Sequence, residues 1–100
     1  MPRIVYLDNW QTSLESTIAD VLHTASTFSH GAIERDILIS ELGVLKELRR
    51  QVHEIAPDER KEVNSVLMAV SVREHLDIPD DLVQRVGELF DIYRRLRQRL

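Results

Sequence analysis

The sequence predicts an all-α protein, an antiparallel four-helix bundle with a short extended N-terminal segment. Three observations carry that prediction. Apolar residues recur at helical spacing in four successive stretches. The most regular is Leu82, Val86, Leu89, Tyr93, Leu96 and Leu100, spaced 4-3-4-3-4 along one stripe. Helix-start signals fall just before or between these stretches: Thr12 with Glu15, Pro57-Asp58-Glu59, and Pro79-Asp80-Asp81. A hydrophobic fraction of 43% beside 30% charged residues suits a chain that builds a core, not a disordered one.

Each element has its own warrant. Residues 3–7 (Arg-Ile-Val-Tyr-Leu) are β-branched and aromatic and predict the extended segment, with Tyr6 and Trp10 as anchors. Thr12 as N-cap and Glu15 three residues on form a capping box, opening a helix over about 13–28. Its apolar face is Leu14, Ile18, Val21, Leu22, Ala25 and Phe28. Ser29-His30-Gly31 breaks it, with Gly31 suited to a left-handed turn and Ser29 to capping the next helix.

The second helix is predicted over about 32–55, its period held by Ile33, Ile37, Leu38, Leu42, Leu45, Leu48, Val52 and Ile55. Gly43 lies inside it at a cost of about 1 kcal/mol relative to alanine, which predicts either a close helix neighbour there, the favoured reading, or two shorter helices with a bend. Pro57 and the two acids after it suit a first helical turn and predict a third helix over about 57–76, burying Val63, Val66, Leu67, Val70 and Leu76. A fourth, about 79–99, carries the long stripe, widened by Val83 and Phe90. Short connections make successive helices antiparallel within a single domain.

Net charge is −4, and residues 1–45 hold the whole excess, six acids against two arginines. Arg94, Arg95, Arg97 and Arg99 crowd the C-terminal end, where they complement a helix dipole or meet an anion. There is no cysteine, so disulfides and thiolate zinc sites are excluded. The apolar runs are too short for a membrane span, and the N-terminus lacks the apolar core of a signal peptide, which together predict a cytoplasmic protein.

Catalytic chemistry finds little support. His23, His30, His53 and His75 never fall at the spacing that sets two metal ligands on one helical face. Histidine phosphotransfer domains carry lysine and glycine three and four positions after their reactive histidine, whereas Ser26 and Thr27 hold those places after His23. Gly31, Gly43 and Gly87 are isolated and form no phosphate loop. The expectation is a non-enzymatic protein without metal or cofactor.

Residues 43–63, running from Gly-Val-Leu-Lys-Glu-Leu-Arg-Arg to Ala-Pro-Asp-Glu-Arg-Lys-Glu-Val, resemble part of the N-terminal helical arm of the phenylalanyl-tRNA synthetase α subunit. The resemblance implies a helix turning at a Pro-acid corner into a second helix, with RNA contact through Lys46, Arg49, Arg50, Arg60 and Lys61. Ser40-Glu41-Leu42-Gly43 stands where that arm carries a basic Gly-Lys-Lys-Gly stretch.

The function expected is a helical protein–protein interaction module, a small regulator, inhibitor or adaptor, that binds a protein partner or forms a homodimer. The contact residues expected are Leu89, Phe90, Tyr93, Leu96 and Leu100 on the apolar face of the C-terminal helix. The competing expectation is nucleic-acid binding through Arg94, Arg95, Arg97 and Arg99, joined by Arg49 and Arg50.

Overall fold

The computed structural model describes the backbone of residues 2–70 and 76–98, and the side chains of residues 9–70 and 76–97. Four helices appear in it: α1 (Pro2–Ser26), α2 (Ile33–Glu54), α3 (Val66–Ala69) and α4 (Asp80–Gln98), with a 3-10 turn at Pro57–Glu59. No strand occurs among the described residues. The long dimension is 43 Å, and the 25 residues of α1 rise about 37 Å.

Residues 3–7 are helical, not extended, and Thr12 lies inside α1, not at its N-cap. A lone strand has no ladder partner here, whereas a helix satisfies its backbone internally. The buried face of α1 is Trp10, Leu14, Thr17, Ile18, Val21 and Ala25, while Leu22 is exposed. Glu15 serves no capping box; it pairs with Arg49 of α2 at 2.9 Å.

Gly31 at φ 88° makes the left-handed turn the sequence predicts. Ala32, not Ser29, is the N-cap of α2, and no side chain caps it. Ser29 contributes its carbonyl, which accepts from the Ala32 N–H at 3.1 Å. α2 runs unbroken through Gly43. Its buried face is Leu38, Glu41, Leu45, Leu48, Gln51 and Val52, turned slightly from the predicted one. No side chain comes within 4 Å of where a Gly43 Cβ would stand, so the expected close neighbour is absent within the described chain.

The predicted third helix is the main correction. After the 3-10 turn the chain is extended, with Arg60 at ψ 136° and Ser65 at ψ 134°, and of the described residues from 60 to 70 only those of α3 are helical. Residues 71–75 of the predicted helix, His75 included, lie outside the described residues. Side chains of α2 take the backbone groups a helix would have used for itself. The Lys61 N–H donates to Gln51 Oε1 at 3.0 Å, and the Val66 and Leu67 N–H groups donate to the Glu41 carboxylate. The lengths agree. Glu41 and Gln51 lie ten residues apart on α2, about 15 Å along the axis. Five extended residues from Lys61 to Val66 span about 16 Å. A helix over those five residues would reach only half as far.

Arg60 fixes the other end of this strap. Its Nε donates to the carbonyls of Gln51 and Ile55 at 3.1 and 3.2 Å, and its Nη2 to that of Val52 at 3.1 Å. The Val52 carbonyl is one that a helix C-terminus leaves without an intrahelical partner, whereas that of Gln51 also accepts from the Ile55 N–H at 3.3 Å.

α1 packs along α2 and, less extensively, along α4, while the strap and α3 fill the space between α2 and α4. Arg35 bonded to the Phe28 carbonyl and Arg49 to Glu15 set α2 antiparallel to α1, and Arg85 bonded to Asp20 and Trp10 to the Leu89 carbonyl do the same for α4. Trp10 and Tyr93 stack at 6.3 Å, and Trp10 Nε1 donates to the Leu89 carbonyl at 3.0 Å. The outcome is an up-and-down bundle whose third member is mostly an extended strap.

Candidate interaction surface

The contact residues expected on α4 form the core instead. Leu89, Phe90, Tyr93 and Leu96 are 3%, 1%, 1% and 8% exposed, so α4 hides its stripe within its own chain. The physical reason is that α1 covers one flank while Met68 of α3, near Gly87, and the strap carbonyl of Lys61, bonded to the Tyr93 hydroxyl at 2.8 Å, cover the other. Burial pushes the Tyr93 hydroxyl above its ordinary pKa, against the opposing pull of Arg97 and Arg60. Leu100 lies outside the residues whose side chains are described.

The arginines do not converge. Arg94 pairs with Asp91 at 2.9 Å, Arg97 donates to the Arg60 carbonyl at 3.2 Å, and Arg95 is exposed. At about 100° per residue Arg94 and Arg97 lie only about 60° apart, but Arg95 turns about 100° to the other side of Arg94. Arg99 lies outside the described residues. Of the cations in the tRNA-synthetase resemblance, Arg60 is bound to α2 carbonyls, and the second helix implied after the proline corner is the extended strap.

His23, His30 and His53 are exposed, and Asp20, one turn before His23, gives its carboxylate to Arg85 at 2.7 Å. Among the described residues no three histidines and acids gather as a metal site. No described helix is long and apolar enough to cross a membrane.

Two polar features escape a reading by residue type. The first is Glu41, fully buried, whose carboxylate accepts from Ser65 Oγ at 2.7 Å and from the Val66 and Leu67 N–H groups. Burial holds its pKa above 4.5, against the lowering effect of those bonds. It secures the strap and leaves no atom facing solvent for chemistry. A sequence signal exists: Leu38, Glu41, Leu45, Leu48 and Val52 keep a 3-4-3-4 spacing, so an acid occupies a seam position.

The second is a shallow groove of about 330 Å³ between α1 and α4, floored by Trp10, Leu89 and Ile92 and rimmed by Asn9, Ser13, Arg85 and Glu88. Arg85 is already bound to Asp20, and Trp10 to the Leu89 carbonyl.

The least explained surface is the outer face of α2. Asp36, Ile39, Gly43, Lys46, Arg50 and His53 follow a 3-4-3-4-3 spacing and lie on the solvent side of the helix. This second line lies about 140° around the helix from the buried one. Ile39 is 48% exposed, and the space above Gly43 is open. Lys46, Arg49, Arg50 and His53, with Glu54, rim a shallow depression of about 350 Å³. Arg50 pairs with Glu47 at 2.7 Å; this guanidinium, and then the Gln51 amide, hold the Glu47 carboxyl down to about 2.

No protein-family model, curated protein or solved structure matches this chain.

Proposed function

We propose that this chain is a non-enzymatic helical interaction module that binds protein through the outer face of α2. The observation that carries this reading is Gly43 itself. An exposed glycine in mid-helix is unfavourable by about 1 kcal/mol relative to alanine, and nothing in the described chain packs against it. A glycine is useful there if another backbone approaches closely. Ile39, one turn earlier, supplies apolar surface, and Lys46 and Arg50 supply charge on the same line, with His53 beyond them. An apolar, small and charged series at heptad spacing fits a helix laid alongside.

Site-specific photo-crosslinking tests the reading. A photoreactive residue at position 46 gives protein adducts, and the same residue at position 91 on the outer side of α4 gives none. Ile39→Lys removes the adducts while the helical circular-dichroism spectrum is kept. Adducts absent from position 46, or equally strong from both positions, refute the assignment.

A further inference from the structure

We infer that the helix received by this face is α2 of a second copy of the chain, running antiparallel. The inference rests on the proposed binding role of α2 and names its partner. Self-complementarity carries it, as a two-fold interface demands: if residue i meets residue j, then j meets i. In an antiparallel heptad pairing the two positions of the seam alternate across the interface. Place Ile39 of one copy opposite Gly43 of the other. The same register then puts Asp36 opposite Lys46. Both contacts occur twice about the two-fold axis, which crosses the seam level with residue 41, on the side of α2 away from the buried Glu41 side chain.

Each pairing is chemically apt. A side chain 48% exposed in the single chain meets the open space above a glycine. A carboxylate on the solvent side meets an ammonium on the solvent side. The helix also carries acids in its first turn, Glu34 and Asp36, and cations toward its end, so antiparallel pairing aligns opposite charges. Arg35 and Arg49, which flank the line, are held on their own chain by the Phe28 carbonyl and by Glu15, so they do not crowd the seam. A parallel pairing would set Lys46 against Lys46 and Gly43 against Gly43. Nucleic acid has no use for Ile39 in the seam.

The decisive measurement is a charge-swap cycle read by sedimentation equilibrium over a range of concentrations. Asp36 and Lys46 lie ten residues apart on one helix, about 15 Å, so direct coupling between them reports contact between chains. The native chain forms dimers with rising concentration. Asp36→Lys and Lys46→Asp each weaken dimerisation about tenfold, because each change alters two ion pairs per dimer, and the doubly swapped chain recovers it. Gly43→Leu gives a monomer of unchanged helicity.

A native chain that stays monomeric at every concentration overturns the inference. So does a dimer indifferent to Gly43→Leu, or one without rescue in the double swap. If position 46 then crosslinks only to other proteins, the binding reading stands and the second copy is wrong. If it crosslinks to nothing, both are wrong.

Discussion

Replacing Glu41 with alanine tests whether the strap is held by this one buried carboxylate. The substitution leaves the Ser65 hydroxyl and the Leu67 N–H, both in buried residues, and the half-buried Val66 N–H without their acceptor. A buried polar group left without its partner costs about 1–3 kcal/mol. Desolvation of the carboxylate pulls the other way, since burial already raises its pKa. The expected net loss is about 2–4 kcal/mol, a large share of the roughly 5–15 kcal/mol that holds a domain of this size folded. Urea unfolding followed by circular dichroism measures it as a drop in midpoint. Ser65→Ala removes the N-cap of α3, which accepts from the Met68 N–H, and costs about 1 kcal/mol alone. Combined with Glu41→Ala it costs less, because the two share a bond. A loss below about 1 kcal/mol for Glu41→Ala, or strict additivity with Ser65→Ala, would falsify the anchoring role.

Four further outcomes are expected. Because the folded protein raises the Glu41 pKa above 4.5, the stabilisation tied to this group is complete below that value and fades as pH rises through the folded pKa; Glu41→Gln flattens this part of the stability–pH curve. At a concentration low enough to keep the chain monomeric, Gly43→Ala raises the melting temperature by the equivalent of about 1 kcal/mol, since its methyl group meets open space on the single chain, and a decrease there contradicts the description of that surface. Tyr93→Phe leaves the Lys61 carbonyl without its donor and costs about 1 kcal/mol, against about 3–5 kcal/mol for Tyr93→Ala in the core, both by denaturant titration. Arg60→Met strips three carbonyl bonds from the end of α2 and accelerates amide exchange around Ile55 more than around Leu45; uniform exchange would argue against the clamp.

The helical class and the two strongest helices are legible because apolar period is a local signal. α2 and α4 lie within two residues of their predicted bounds, and Gly31 turns as its conformational freedom suggests. The N-terminal segment misleads because β-branched content at Ile4 and Val5 points to an extended chain, while helical spacing is plain only from Trp10 onward. The third helix fails for a tertiary reason. Pro57-Asp58-Glu59 begins a helical turn as expected, but Arg60, Gln51 and Glu41 then draw the backbone straight, and no property of residues 60–65 alone announces that. Binding residues on α4 are misplaced by sequence because a broad apolar arc looks the same whether its cover comes from a partner or from the chain's own α3 and strap. A mid-helix glycine predicts a close contact at position 43, and the described chain holds none.

The match between five straight residues and ten coiled ones also makes this connection intolerant of length changes. One inserted residue would slide Ser65 by about 3.3 Å, more than the length of the bond it makes with Glu41. One deletion would stretch the chain beyond its reach. The turn at residues 27–32 carries no comparable measure, since exposed positions there are tied mainly to near neighbours. Related chains should therefore vary in length at that hairpin while keeping a fixed count between Lys61 and Val66, with a carboxylate and an amide retained at the two matching posts on the opposite helix.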